Sequence, residues 1–402
     1  MDPDPLRCRP RGRAVRVLFL SPVVPWPLHS GGRIRTYELL RGLTQTDPRP
    51  QVHLHCVLDP EPQQEPRFEP ESLVHAFQEH TRSAAPLTLR LNSPPPVRWF
   101  HSDSLRRFLN DDARWEDWDL VHLDELLLLP YLPPELPLPL VVHHHKLDVD
   151  HAEALGQKGS ICSRWRQLEQ AACARTQHHI VCGHEDAQRL AERHEHIRPH
   201  VVPCGADTHK FQPDGRQPVA GRLLFLGSLD YEPNIRALEG FVPQLHAARA
   251  RDPRLHLQIV GARPDSRILN LLGDGIELEQ NVPDVRPFLG AAEALVAPLE
   301  VGGGSRIKIC EALAAGCPVL ASPCAAEGLD LVPGEHLIVV SDSNGWPDAL
   351  VGLIQAPATA RATALEGRER ICAQHHWPDL AARLAAAWGR CLQNPTEKPV
   401  PP

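Results

Sequence analysis

The stretch PLEVGGGSRIKICEALAAGCPVLAS, residues 298–322, sets three glycines and two cations ahead of an alanine-rich apolar segment. The first-turn amides of a helix lack internal partners, and the helix dipole is positive there. Gly302, Gly303 and Gly304 tolerate positive φ and let an anion come close to the backbone. Ser305 suits the N-cap, and Arg306 and Lys308 add positive charge. Together they predict a phosphate-type anion site at a helix terminus. Lys308 and Glu311 are three apart and share a helix face, so Glu311 stands one turn beyond the anion. A carboxylate there can accept hydrogen bonds from two ribose hydroxyls. The competing reading, an ion pair on an amphipathic helix, gives the glycines nothing to do.

A second glycine pair, Gly31-Gly32 in SPVVPWPLHSGGRIRTYELL (21–40), follows the first apolar run and precedes a helical pattern. Alone it reads as a tight turn. Paired with the loop in the other half of the chain, it suggests one ligand clamped from both sides. Histidines crowd PLVVHHHKLDVDH (139–151) and DLVHLDE (119–125). A zinc site in the first of these is disfavoured, because neighbours on an extended segment point to opposite faces.

These residues need a scaffold that brings strand ends together. Apolar runs alternate with helical patterns throughout: 15–20, 52–57, 87–91, 119–123, 139–143 and 178–182, then 222–227, 255–261, 275–279, 294–298, 318–322 and 337–340. Most are continuous rather than alternating, as in parallel strands covered on both faces. Helices are expected over 33–45, 163–176, 185–194, 235–249, 306–315 and 380–391. The pattern predicts a doubly wound α/β fold. A Pro-, Gly- and Asp-rich break at 201–215 splits it into two Rossmann-like domains facing across a cleft. We expect a disordered tail at 1–14, an acceptor-side domain at 15–205 and a donor domain at 206–375. A final segment, 376–402, carries a helix that returns to the first domain.

Composition narrows the function. A chain of 402 residues exceeds one ordinary core, and a net charge of -8 with 5% aromatics argues against general nucleic-acid binding. The eleven cysteines show no CxxC pair, which points to reduced thiols and a cytoplasmic setting. No apolar run approaches the ~18 residues of a membrane span. The arginines at 7, 9, 11, 13 and 16 could touch anionic lipid at an inner membrane face, although a solvated tail is the simpler expectation. There is no GxSxG, HExxH or GxxxxGK[ST] sequence, which removes three common enzyme classes.

Four segments together carry a resemblance: VRVLFLSPVVPWPLHSGGRIRTYELLRGL, VVPCGADTHKF, LLFLGSLDYEPNIRALEGF and NVPDVRPFLGAAEALVAPLEVGGGSRIKICEALAAGCPVLASPCAAEGL. In order and spacing the chain resembles a retaining GT-B glycosyltransferase of family 4. The resemblance implies a nucleotide-diphosphate-sugar donor on the second domain, a hydroxyl acceptor on the first, and no metal or other cofactor. It assigns the ribose to Glu311, and the diphosphate and transferred sugar to the loop of Gly303, Gly304, Ser305 and Arg306, with Lys308 sharing the charge. Gly227 and Ser228 line the donor pocket, Val282 lies in the loop beside the base, and Gly31 and Gly32 approach the phosphates from the other domain. His145 matches the histidine at the reacting sugar, and His144, His122 and Asp124 are expected at the acceptor, whether a saccharide, a lipid-linked saccharide or a small molecule. The family's usual first glutamate, eight positions before Glu311, is Gly303 here, and the Arg and Lys common after the GSL strand are missing from GSLDYEPNIR. The alternatives are a GT-B epimerase of nucleotide sugars and a non-catalytic nucleotide-sugar-binding protein.

Overall fold

The structure, a computed structural model, describes residues 13–58, 69–301 and 306–394. The first sheet contains β1 (Arg16–Ser21), β2 (Gln51–Leu58), β3 (Ala76–Thr81), β4 (Leu120–Asp124), β5 (Leu140–His143), β6 (His179–Val181) and β7 (His200–Val201). The second contains β8 (Arg222–Ser228), β9 (His256–Ala262), β10 (Ile276–Gln280), β11 (Ala294–Ala297), β12 (Val319–Ala321) and β13 (Ile338–Val339). Their spatial orders are β3-β2-β1-β4-β5-β6-β7 and β10-β9-β8-β11-β12-β13, and both sheets are parallel. In each, the chain reverses direction around its first strand, β1 or β8. Such a switch point opens a crevice at the carboxyl ends of the strands.

Continuous apolar strands are buried on both faces: Val17, Leu18, Phe19 and Leu20 of β1 are at most 2% exposed. One expected strand is wrong. Residues 87–91 lie in a helix, Leu87–Asn92, with Leu87 and Leu91 67% and 57% exposed. The strand beside β2 is instead β3, whose residues AFQEHT are mostly polar and largely solvated. An edge strand has only one paired side and needs no apolar run, so its signal was weak. The short β7 and the helices Asp148–Ala154, Trp346–Gln355 and Pro357–Gln374 also escaped the sequence reading.

The two halves are joined by more than the linker. The closing helix, Trp377–Gln393, lies along the first helix, Gly31–Leu43. A Cβ on Gly42 would sit 2.6 Å from Ala381 Cβ, so only glycine allows that approach. Trp388 Nε1 donates to His122 Nδ1 at 3.1 Å beneath β4. Arg35, fully buried, donates to the carbonyls of Val202 and Pro203 and bonds His143 Nε2 at 3.0 Å, tying the first helix to β5 and the linker. Arg189 of the first domain pairs with Glu327 of the second. Among the described residues no helix is long and apolar enough to cross a membrane.

Candidate active site

Three carboxyl ends of the first sheet converge on one carboxylate. Asp124 ends β4 and is 1% exposed. Its Oδ2 accepts from Thr36 Oγ1 at 2.8 Å and Ser21 Oγ at 3.2 Å, and its Oδ1 lies 2.8 Å from His145 Nε2. Burial opposes ionisation of Asp124, but the charge and hydrogen bonds of His145 and His143 prevail and hold it well below the ordinary carboxylate range. His145 shows the complement. Burial lowers its pKa, yet the Asp124 charge and hydrogen bond, helped by Glu125, raise it above the ordinary histidine value. With Nε2 held by Asp124, Nδ1 is the nitrogen left over; it is buried and has no hydrogen-bond partner. It faces Gly32, where a Cβ would lie 3.5 Å away. The oriented imidazolium therefore points at the turn that opens the first helix.

The opposite wall comes from the second sheet. Gly227 and Ser228 end β8, and Ser228 Oγ donates to the His29 carbonyl at 2.9 Å, just ahead of the Gly31 turn. A Cβ on Gly227 would meet Asn234 Nδ2 at 2.6 Å. Asn234 in turn donates to the Ser228 carbonyl at 2.9 Å and accepts from Lys308 Nζ at 3.1 Å. Lys308 also lies 4.5 Å from the Phe225 ring centroid. Burial, with Arg306 nearby, pushes its pKa down to about 7. Arg306 is the N-cap residue of the Ile307–Ala314 helix and donates to the Cys324 carbonyl at 2.8 Å. Gly303, Gly304 and Ser305 lie outside the described residues, so the N-cap expected at Ser305 is replaced by Arg306. Glu311 is partly exposed, and among the described residues no hydrogen bond or ion pair engages its side chain. Burial pushes its carboxyl up to about 8. Val282 follows β10 and packs at the edge of the core.

Two expected acceptor contacts become structural. His122 is 0% exposed, accepts a hydrogen bond from the Trp388 indole N–H and stacks on Phe19 at 4.3 Å. Burial keeps it neutral, down to about 4. His144 turns to the other side of the strand end and bonds His179 Nδ1 at 2.9 Å. Alternation along an extended chain turns His144 to the face opposite His145, whereas His122 shares the face of Asp124 but lies two residues deeper in β4, under Trp388. Asp124, expected at the acceptor, is 1% exposed, and its oxygens are taken up by Ser21, Thr36 and His145. His122, Asp124 and His143 bring ligand-type atoms within 4.8 Å of one another. His122 Nδ1 is engaged by Trp388, and His143 Nε2 lies against the Arg35 guanidinium, which already supplies positive charge. We read the cluster as a hydrogen-bonded core.

Two family descriptions divide the chain along the same line as its sheets. Glycosyltransferase Family 4 matches residues 29–210, and Glycosyl transferases group 1 matches residues 220–356. The chain belongs to glycosyltransferase family 4. Among similar proteins, an MMP alpha-(1->4)-mannosyltransferase of Mycolicibacterium hassiacum is 27% identical over 70% of this chain and 72% of its own length. A D-inositol 3-phosphate glycosyltransferase of Mycobacterium avium is 29% identical over 64% of this chain and 66% of its own length. Sucrose-phosphate synthase from Thermosynechococcus elongatus superposes with a TM-score of 0.71 at 20% identity, covering 94% of this chain and 99% of that one. Anabaena HepE, solved with UDP and glucose, gives 0.68 at 12% identity over 94% and 100% of the two chains. These neighbours have the GT-B fold.

This glycosyltransferase therefore carries its cations on the second domain and its oriented histidine on the first. Sequence reasoning missed Asn234, which joins Ser228 to Lys308, and the hydroxyls of Ser21 and Thr36, which fix Asp124. Ser21 stands at a strand end and Thr36 four to five residues past the glycine pair. Their role was visible only as polar residues in otherwise buried positions.

Proposed function

We propose that this enzyme transfers a sugar from a nucleotide-diphosphate sugar to an acceptor hydroxyl and keeps the anomeric configuration. The observation that supports it most is the meeting of the two sheets' carboxyl ends. There Ser228 bonds the loop before Gly31, His145 Nδ1 faces Gly32, and Lys308 and the unengaged Glu311 share the opposite wall. Glu311 accepts the ribose hydroxyls. Arg306, Lys308 and the amides at the head of their helix stabilise charge as it builds on the departing diphosphate. This protein electrostatics takes the place of a metal ion. The departing phosphate oxygen takes the acceptor's proton as that hydroxyl attacks the same face, so no side chain is an obligatory base. His145, held by Asp124, donates from Nδ1 toward the reacting sugar and steadies it. Closure of the domains excludes water. The relatives named for mannosyl and inositol-phosphate glycosyl transfer, and HepE with UDP-glucose, are consistent with such substrates. Where the acceptor is lipid-linked, the exposed Leu87, Leu91 and Trp99 with neighbouring arginines form the face that meets the membrane.

A thermal-shift screen with EDTA present tests the reading. A bound ligand at about 100 times its Kd adds about 2.7 kcal/mol of stability, so one of the uridine, guanosine, thymidine or adenosine diphosphate sugars should raise Tm clearly. Glu311→Ala should weaken binding of that ligand about 5- to 100-fold, as two hydrogen bonds to ribose hydroxyls at about 0.5–1.5 kcal/mol each are lost. A flat response across all four, or one that requires metal, overturns the proposal.

A further inference from the structure

Glu125 follows β4 directly and holds φ 73° and ψ 153°, a region of backbone space normally left to glycine. Its amide donates to the His143 carbonyl at 2.8 Å, so the pairing of β4 with β5 continues into this conformation. The side chain is 20% exposed, and its Oε1 lies 3.3 Å from His145 Nδ1 without making a hydrogen bond. The same oxygen is 3.9 Å from Lys146 Nζ, which also lies 3.2 Å from Asp148 Oδ1. Across the cleft, Tyr231 is close enough to feel the charges of Glu125, Lys146, Asp148 and Arg306. Its ring stacks over His151 at 6.0 Å and 12°. The Glu125 carboxylate therefore stands beside the oriented histidine, within electrostatic reach of Tyr231 on the donor wall.

We propose that Glu125 is the acceptor-orienting residue, accepting a hydrogen bond from an acceptor hydroxyl beside His145 Nδ1, and that it restricts the acceptor to an uncharged, polyhydroxylated molecule. The inference rests on the transferase reading and deepens it. Lys146 is clamped between two carboxylates, and the charge of His145 is matched by Asp124. This wall thus offers hydroxyls a carboxylate to donate to, and the cations beside it, His145 and Lys146, are each already paired with a carboxylate. The cations that suit phosphate, Arg306 and Lys308, stand on the donor side. A glycine would occupy position 125 without strain, so the backbone retains this side chain at a cost in stability. That cost makes sense where the carboxylate is needed.

The test uses the full chain with UDP-glucose and GDP-mannose as donors, following nucleoside diphosphate release. Acceptors are glucose, mannose and myo-inositol, set against glucose 6-phosphate, mannose 6-phosphate and inositol 3-phosphate. The wild type should favour the uncharged set. Glu125→Gln should raise the KM for an uncharged acceptor about tenfold, leave the donor KM within about twofold, and narrow the gap to the phosphates. Glu125→Gly should lose acceptor affinity equally while keeping or raising Tm, which separates the carboxylate's role from folding. A wild type that prefers the phosphates or uses none of the uncharged acceptors, an acceptor KM unmoved in both variants, or a donor KM that rises in step, overturns the inference. If no nucleotide sugar binds or turns over, the transferase reading falls first and takes this one with it.

Discussion

Asp124 serves four partners with two oxygens: Oδ2 for Ser21 and Thr36, and Oδ1 for His145, with His143 Nδ1 3.4 Å from the same oxygen. A carboxylate so satisfied fixes both the ring orientation and the proton of its histidine. Because Asp124 raises the pKa of His145, the imidazolium persists above the ordinary histidine range and is lost as pH rises through the raised value. In Asp124→Asn that stabilisation goes, so the alkaline limb of the kcat/KM profile should move to lower pH, with kcat down about 10²-fold. An unmoved limb would deny His145 its charged role. Lys308 makes a second case. Burial and Arg306 push its ammonium down to about 7, and a bound diphosphate would hold the proton on. Lys308→Met should therefore weaken donor binding most below pH 7, and the difference from wild type should shrink as pH rises above about 7. Titration calorimetry at several pH values reads this directly.

Among elements, the first helix does the most positioning. It presents Gly32 to His145, Thr36 to Asp124 and Arg35 to His143, with Arg35 and Thr36 three and four residues beyond Gly32 and so beside it on the helix surface. The closing helix clamps it from outside, with Gly42 against Ala381 and the Trp377 carbonyl and with Trp388 reaching His122 beneath β4. A methyl at Gly42 must push the two helices apart, since its neighbours at 2.6 and 3.0 Å include backbone. Gly42→Ala should cost about 1–3 kcal/mol, the usual range for overpacking, read as a lower denaturation midpoint. Activity per folded molecule should fall as well if the clamp sets the Thr36–Asp124 contact. An unchanged midpoint would mean that the helices separate freely.

At the scale of the molecule, one region of the acceptor domain departs from the acidic average. The chain is acidic at -8, yet residues 82–107 of the acceptor domain carry Arg82, Arg90, Arg98, Arg106 and Arg107 against Asp103 alone. In that region Leu87, Leu91 and Trp99 are 67%, 57% and 64% exposed. Aromatic and aliphatic side chains flanked by arginines suit an anionic bilayer surface. Co-sedimentation with vesicles of phosphatidylglycerol should exceed that with phosphatidylcholine, fall with salt, and weaken in Trp99→Ala. Equal, negligible binding to both vesicles would leave this face without a lipid role. The cleft itself is closed by contacts that can open: the Arg189–Glu327 pair is partly exposed on both sides, and the Ser228–His29 bond is single. Exposed ion pairs contribute about 0–1 kcal/mol, so separation of the domains for substrate entry costs little there.

Short-range order was legible in the residues. Runs of Val, Ile and Leu marked eleven of the thirteen strands among the described residues because parallel strands are covered on both faces, and Gly31-Gly32 marked the start of the first helix. The mostly polar edge strand β3 and the two-residue β7 fell below that signal. Within the candidate site, the spacing of Lys308 and Glu311 was readable because a helix repeats every few residues. The partners were not. His122, His143, His144 and His145 are alike in sequence, and packing alone separated them: one under Trp388 at a distance of 266 residues, one on Arg35, one on His179 and one on Asp124. Local periodicity determines which way a side chain points. What meets it there depends on chain segments far away, and only the folded chain decides that.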